Sequence, residues 1–389
     1  MAALRTIIAQ GRKRVGLLIG AGAPAGMARA DGSRPLIPAV AGLTQQVLAA
    51  IAPRYGAQIK GLKSDLTKHD IETLLSRIRS LSGVIGTTKV HDLDGAGYRE
   101  MAEAICVEIG RNVQVRLPPG QTPYGELVSW ITGAPRAHAV EIFTTNYDLL
   151  FEEAFERIRA PYFDGFTGAR EAFFDPASIS SDQLSARWTR LWKLHGSLGW
   201  KANEQGEVVR TGQPDATHLI FPEHLKYDQT QKAPYAALLD RLRTFLATED
   251  TLLLSIGFSF ADAHITARID EALAANPAAS VFAFQFQPLS NEPYATELAS
   301  RRSNFSVYAR DKAVINGVAA DWQAPGELPT KDWGPIRSSY WALSKAGGKP
   351  EFKLGAIEDF TRFFANSRSP QAFDAPPPPS PPATPASSA

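Results

Sequence analysis

Residues 14–26 have the sequence RVGLLIGAGAPAG. A short apolar run that ends in glycine predicts a buried parallel strand over residues 14–20. The loop that follows, residues 20–26, is rich in glycine, and such loops let the backbone approach a phosphate group closely. Its G-x-G-x-x-x-G spacing differs from the usual dinucleotide fingerprint. A tight turn therefore explains this loop at least as well as a phosphate site does.

Further apolar runs on the C-terminal side predict the rest of a parallel sheet. Helix 235–247 lies between two of the predicted strands, and strands that alternate with helices predict an α/β fold with a doubly wound parallel sheet. Residues 39–133 carry apolar side chains at helical spacing, with Asp70 as a candidate N-cap, so we expect a helical insert between the first two strands. The other predicted strands are 139–145, 189–194, 251–257, 280–287 and 304–309.

Composition excludes several classes of protein. The chain has 389 residues, 44% of them hydrophobic, with a formal net charge of +1 and a single cysteine, Cys106. One cysteine permits neither an internal disulfide nor a cysteine-rich zinc site. A nearly balanced charge argues against general nucleic-acid binding, and no window approaches the roughly 20 apolar residues of a membrane helix. The first residues resemble neither a targeting nor a secretion signal, so we expect a cytoplasmic protein. The histidines show no metal-ligand spacing, so we expect no metal.

Two polar segments follow predicted strands, at the sheet edge where α/β proteins bind ligands. Thr-Thr-Asn-Tyr-Asp occupies 144–148, and Leu-His-Gly-Ser occupies 194–197. Asn146 could hold a ribose hydroxyl or a water, but Asn146 or Asp148 could equally cap the next helix. His195 could accept a proton near neutral pH, although a lone histidine is more often structural.

A third polar segment, residues 255–264, reads SIGFSFADAH. The strand ends at Gly257, and the hydroxyl of Ser259 in the following turn suits a phosphate or a ribose. Asp262 is explained equally well as the N-cap of a helix over 263–275.

Taken in order, the segments GAGAPAG, TTNYD, LHGS and GFSFAD resemble the signature of the sirtuin-like NAD-binding family. The resemblance covers about residues 10–312 and is specific because all four segments occur in the family order. It implies a Rossmann-like fold in which residues 1–312 bind NAD. Within that domain we expect the insert at 39–133 and a small mixed module at 150–235.

The resemblance also implies roles for individual residues. Asn146 orients a water beside the nicotinamide ribose, His195 is the base, and Asp148 recognises the nicotinamide carboxamide. The remaining NAD-binding positions are Gly20, Ala21, Gly22 and Ala23 at the diphosphate and nicotinamide pocket, Thr145 on the ribose side, and Gly257 and Ser259 on the adenosine side.

The sequence departs from the protein deacylases of this family. Those enzymes typically carry a four-cysteine zinc ribbon, which one cysteine cannot form. The chain instead resembles prokaryotic sirtuin-like effectors of antiphage defence, which hydrolyse NAD. Segments 161–168 and 221–235 resemble members paired with a HerA-type ATPase. The prediction is therefore an NAD glycohydrolase that uses NAD as its substrate, with a deacylase and a non-catalytic sensor of NAD or ADP-ribose as alternatives.

Constant NAD hydrolysis would harm the host cell, so we expect control by assembly, as a homo-oligomer. The candidate assembly surfaces are the helical insert and residues 328–366, within a C-terminal extension at 313–366. Residues 367–389 are proline-rich and predict a disordered tail.

Arg187, Arg190 and Lys193 are interpreted as a solvated strand face rather than a nucleic-acid site.

Overall fold

The computed structural model describes most of the chain, in five segments: residues 2–66, 68–212, 234–323, 333–344 and 348–366. The helices are α1 Ala2–Gln10, α2 Gly22–Ala25, α3 Val40–Ser64, α4 Ile71–Val84, α5 Gly95–Val113, α6 Pro123–Thr132, α7 Leu150–Arg157, α8 Pro176–Ser180, α9 Tyr235–Ala247, α10 Ala263–Ala275, α11 Pro293–Arg301, α12 Trp333–Tyr340 and α13 Ile357–Ala365. The strands are β1 Arg14–Ile19, β2 Glu141–Thr144, β3 Tyr162–Phe163, β4 Phe166–Thr167, β5 Ala172–Phe174, β6 Thr189–Lys193, β7 Trp200–Ala202, β8 Val208–Arg210, β9 Thr251–Ile256, β10 Ser280–Phe284, β11 Phe305–Tyr308, β12 Lys312–Ile315, β13 Val318–Asp321, β14 Trp341–Leu343 and β15 Pro350–Phe352.

The main sheet has nine strands in the order β13-β12-β11-β10-β9-β1-β2-β6-β3. All pairings from β11 to β3 are parallel, and the β12–β13 hairpin adds an antiparallel edge. The chain extends from β1 to β2 on one side and returns to β9 on the other. The topological switch point therefore lies between β1 and β9, where such sheets bind ligands. The predicted Rossmann-like, doubly wound α/β fold is confirmed.

The central strands are buried on both faces, because successive side chains point to opposite sides of the sheet. On β1, Leu17 and Ile19 join one hydrophobic core, and Leu18 joins the other. The first core also takes in the helices between β1 and β2 together with α7 and α13, and the second takes in α9, α10 and α11. This two-sided burial explains the continuous apolar runs in the sequence.

The predicted helical insert is present as α3 to α6, between β1 and β2. Asp70 caps α4 as predicted, with its carboxylate accepting a hydrogen bond from the Thr73 amide at 2.8 Å. Thr122 likewise caps α6 by accepting from the Gly125 amide. The insert packs its apolar face on the sheet and carries one side chain into the site described below.

The small module contains a four-stranded antiparallel sheet in the order β4-β5-β8-β7. Two separate stretches of the chain form this module, because β6 lies between β5 and β7 in sequence but pairs with β2 in the main sheet. The interpretation of Arg190 and Lys193 on β6 as a solvated face is wrong, because their exposed fractions are 4% and 3%. Arg190 stays buried by donating to the carbonyls of Leu184 and Ser185.

The C-terminal helix α13 is amphipathic, and its apolar face is buried within the chain. Phe360, Phe363 and Phe364 lie in the first hydrophobic core, and the Thr361 hydroxyl donates to Glu126 of α6 at 2.9 Å. This face of residues 328–366 therefore does not supply the oligomer surface that we expected from the sequence. The predicted tail at 367–389, and residues 221–233 of segment 221–235, lie outside the described residues. None of the described helices has the length and apolar character needed to cross a bilayer.

Candidate functional site

The loops after β1 and β9 pack backbone against backbone at the switch point. A side chain on Gly20 would lie 2.3 Å from the Gly257 carbonyl oxygen, and one on Gly22 would lie 2.8 Å from the Gly257 α-carbon. Gly257 itself adopts φ +68°, a conformation that favours glycine. These three glycines therefore let the two loops meet in the crevice.

The glycine-rich sequence is explained by packing between the two loops rather than by a phosphate group. The amides of Gly20 and Gly22 donate to the carbonyls of Ile256 and Gly257, and the Ala23 amide donates back to Gly20. Those three amides are therefore used inside the protein and are not free to bind a phosphate group. Helix α2 is too short to add a dipole of consequence. Diphosphate contact by Gly20, Ala21, Gly22 and Ala23 stays a proposal.

Asn146 lies directly beside the glycine-rich loop at residues 20–26, which we call the glycine loop. Its side-chain amide donates to the Gly20 carbonyl at 3.3 Å, and its backbone amide donates to the Thr144 hydroxyl at 3.1 Å. The Thr144 hydroxyl in turn donates to the Ile19 carbonyl, so the turn after β2 is tied to the end of β1. The Asn146 Oδ1 atom is buried and has no hydrogen-bond partner among the described residues. A buried acceptor of this kind is expected to bind a ligand or a water.

A buried charge cluster holds the turn after β2, which carries Asn146 and Asp148. The Lys193 ammonium on β6 donates to the Asp148 backbone carbonyl and pairs with Glu152 of α7 at 3.0 Å. Burial raises the pKa of both Asp148 and Glu152, although the Lys193 charge acts to lower it. One Asp148 carboxylate oxygen accepts from the Leu150 amide. The capping alternative is wrong for this helix, because the N-cap of α7 is Leu149 and no side chain caps it. Asp148 is therefore held by both local and long-range contacts.

His195 lies after β6 in a turn that contains Gly196 at φ +87°. This turn is joined to the Asn146 turn, because the Leu198 amide donates to the Tyr147 carbonyl at 2.9 Å. His195 is 6% exposed, and its Nε2 atom lies 2.9 Å from Oδ2 of Asp262. Its Nδ1 atom is buried with no partner among the described residues. The histidine is thus fixed on one side and unsatisfied on the other.

Asp262 has two roles, of which sequence analysis found one. Its Oδ1 atom accepts from the amides of His264 and Ile265, as predicted for the N-cap of α10. Burial acts to raise the pKa of this carboxyl group, but the hydrogen bonds from His195 and from the two amides outweigh it and hold the pKa below its usual value. Nearby Phe260 adopts φ +58°, an uncommon conformation for a bulky residue, and is held in the core.

Tyr124 is a side chain of the site that the sequence did not indicate. It comes from α6 of the insert, is fully buried, and stacks on Phe151 with ring centroids 4.0 Å apart. Burial and the nearby Asp148 carboxylate raise its pKa well above the usual value, whereas the adjacent Asn146 side chain acts to lower it. The Tyr124 hydroxyl reaches no atom in hydrogen-bond geometry among the described residues. Only the apolar periodicity of α6 marked this position, and it indicates burial rather than chemistry.

The other predicted site residues are less constrained. Thr145 is half-buried and its amide donates to the Ile19 carbonyl at 3.3 Å. Ser259 is exposed, and its hydroxyl accepts from the Ala261 amide at 3.4 Å. No group of three or more metal-ligating side chains occurs within the described segments.

Residues 140–308 match the sequence model of the SIR2-like domain. That span holds Asn146, His195 and Asp262 but not the glycine loop at 20–26. Among solved structures, one described as a Sir2 homologue–NAD complex is 13% identical, with a TM-score of 0.37, and the match covers 79% of this chain and 88% of that one. Another, from work on the mechanism and regulation of Sir2 enzymes, is 14% identical with a TM-score of 0.34 over 75% of this chain and 88% of that one. No curated protein matches the chain.

Proposed function

We propose that this protein binds NAD beside the crevice between β1 and β9, at the carboxyl ends of β1, β2, β6 and β9, and hydrolyses its nicotinamide–ribose bond. The observation that carries the proposal is a pair of buried polar atoms, Asn146 Oδ1 and His195 Nδ1, that lack partners among the described residues. Both follow strands of the sheet at its ligand-binding edge. The match of residues 140–308 to the SIR2-like domain supports NAD as the ligand.

The proposed reaction needs a water, a proton acceptor and a shielded site. The water oxygen bonds to C1′ of the nicotinamide ribose as the C1′–nitrogen bond breaks, and the bonding pair leaves with nicotinamide. Nicotinamide departs neutral because the ring nitrogen of NAD carries a positive charge. Asn146 Oδ1 holds the water, and His195 takes its proton, so that the products are nicotinamide, ADP-ribose and one proton.

The remaining NAD contacts follow the family roles. Asp148 is proposed to hold the nicotinamide carboxamide, and Thr145 is proposed to lie on the ribose side. The glycine loop would cover the diphosphate, while Gly257 and Ser259 would contact the adenosine side. The turns that carry Asp148 and Gly257 are already joined to the glycine loop by hydrogen bonds or close packing.

Product analysis separates this function from its alternatives. Purified protein is incubated with NAD, with and without an acyl-lysine peptide, and the mixture is followed by mass spectrometry. We expect nicotinamide and ADP-ribose in equal amounts, with or without peptide. Acyl-ADP-ribose that forms only with peptide would identify a deacylase. Intact NAD that still stabilises the protein against heat, both with the protein alone and after addition of the partner, would identify a sensor and would contradict hydrolysis.

Replacing Tyr124 with phenylalanine is expected to weaken NAD use without loss of stability. We propose that its hydroxyl bonds the substrate, so that KM rises by about tenfold, as for one lost hydrogen bond. The free energy of unfolding of the ligand-free protein should fall by less than about 0.5 kcal/mol, because no bond with the protein is lost. Steady-state kinetics and urea unfolding measure the two effects.

Tyr98 provides the matched control for Tyr124. It is also fully buried on the insert, but its hydroxyl donates to the Val90 carbonyl at 3.0 Å. Tyr98→Phe should therefore lower the free energy of unfolding by about 1 kcal/mol and leave KM unchanged. If Tyr124→Phe behaves like Tyr98→Phe, the hydroxyl has a structural role only.

We also propose that the activity serves antiphage defence and is controlled by assembly, as a homo-oligomer, with a HerA-type ATPase as a candidate partner. Uncontrolled hydrolysis would deplete the host cell of NAD, which supports such control. We expect mass photometry to show oligomers and nicotinamide release per chain to rise with oligomer fraction, alone or after addition of the partner. A monomer with full activity would contradict control by assembly.

A further inference from the structure

The His195–Asp262 pair holds both side chains in one arrangement. The two side chains are 7% and 12% exposed, and the Nε2–Oδ2 distance is 2.9 Å. Because Oδ1 of Asp262 is occupied by the amides of His264 and Ile265, the carboxylate cannot rotate without losing the helix cap. His195 and Asp262 lie 67 positions apart in the chain, so their contact joins the loops after β6 and β9.

The chemistry of a carboxylate determines which nitrogen of His195 carries the proton. An ionised carboxylate only accepts hydrogen bonds, so the Nε2 atom that faces it must be the donor. A neutral imidazole has one protonated nitrogen, which leaves the lone pair on Nδ1. Nδ1 is the ring atom that is buried without a partner among the described residues.

We infer that Asp262 is a positioning residue that holds His195 in the Nε2–H tautomer and so makes Nδ1 the atom that accepts the proton from water. The inference rests on the proposed function for its catalytic consequence but not for the tautomer itself. Asp262 does not touch the reacting atoms and acts through His195.

Asparagine at position 262 distinguishes positioning from capping. Asparagine and aspartate are about equally good N-caps, so Asp262→Asn keeps the cap of α10. Its side-chain nitrogen would then face His195 Nε2 and donate to it. That donor favours the Nδ1–H tautomer and removes the lone pair from the proposed acceptor. A structural role predicts little effect of this substitution, whereas a positioning role predicts a large one.

We expect Asp262→Asn to lower kcat for nicotinamide release by roughly 100-fold or more, with KM changed less than about threefold. The matched control is Asp70→Asn, the same change at the N-cap of α4, where the partner of the carboxylate is the Thr73 amide. It should alter kcat less than about twofold. In a His195→Gln background, Asp262→Asn should cause little further loss, because the two residues act as a unit.

A second readout does not depend on activity. The chain has 7 histidines, so the ring nitrogens can be labelled with ¹⁵N and the His195 signals assigned from their loss in His195→Gln. We expect Nε2–H in the wild type and Nδ1–H in Asp262→Asn. A wild-type Nδ1–H tautomer, or no change in Asp262→Asn, would overturn the inference even if NAD is hydrolysed. Absence of NAD cleavage together with the expected tautomers would instead overturn the proposed function.

Discussion

His195→Gln is expected to lower the rate of nicotinamide release by about 10²–10⁴-fold, the range that general acid–base catalysis contributes. Glutamine removes the proton acceptor but keeps an amide donor that can reach Asp262. The substitution should therefore leave the loop after β9 in place. Single-turnover rates with saturating NAD measure the loss at the chemical step, and isothermal titration calorimetry measures binding. We expect the Kd for NAD to change by less than about fivefold, since the lost group acts mainly in the transition state.

The matched control for this substitution is His264→Gln. His264 is exposed, and its backbone amide donates to Asp262, a contact that glutamine retains. Its nicotinamide release should stay within about twofold of the wild type. If His195→Gln retains more than a tenth of the wild-type rate while His264→Gln is unaffected, the water must lose its proton to another group and the role of His195 is wrong.

The fold could be predicted because each central strand is marked by its own apolar run. The strand predicted at 14–20 is observed as Arg14–Ile19, and that predicted at 251–257 as Thr251–Ile256. Burial on both faces forces such runs, and the glycines at their ends allow the loops to meet. The order of the strands then places the ends of β1, β2, β6 and β9 at one edge. The place of the candidate site therefore follows from local patterns and a general property of parallel sheets, whereas the roles of its residues came from the resemblance of the four segments to the sirtuin-like family.

The contacts that complete the site could not be predicted, because they join distant residues through atoms with a local explanation. Asp262 satisfies the pattern of an N-cap, and nothing in that pattern indicates His195. Tyr124 fits the apolar face of α6, and its hydroxyl leaves no trace in the periodicity. The glycine loop resembles a phosphate cradle, whereas the structure uses its glycines and three of its amides for packing within the chain. In each case one residue type serves two physical purposes.

The opposite end of the sheet contains an ion pair that sequence patterns did not reveal. Arg241 of α9 donates from Nε to Glu141 of β2 at 2.8 Å and also pairs with Asp182 at 2.8 Å. The Trp192 indole nitrogen donates to the same Glu141 carboxylate at 2.7 Å. The side chains of Arg241 and Glu141 are 7% and 4% exposed. Because Glu141 begins β2, this pair lies at the amino end of the strands, away from the proposed NAD crevice.

Arg241→Met is expected to lower the free energy of unfolding by about 3–5 kcal/mol, because it leaves the Glu141 carboxylate buried without its cation. Urea unfolding followed by tryptophan fluorescence measures the loss. The matched control is Arg268→Met, which breaks an ion pair with Glu271 whose side chains are 45% and 59% exposed. That change should cost less than about 1 kcal/mol, as surface pairs usually do.

If Arg241→Met does not fold well enough to measure, the double variant Glu141→Leu with Arg241→Met provides the test. Removing both charges should recover most of the loss, since a buried ion pair can be replaced by apolar side chains at little cost. KM for NAD should be unchanged in the double variant, because the pair lies at the other end of the sheet from Asn146 and His195. Equal losses for Arg241→Met and Arg268→Met, or a double variant less stable than the single one, would show that the buried pair does not hold α9 on the sheet.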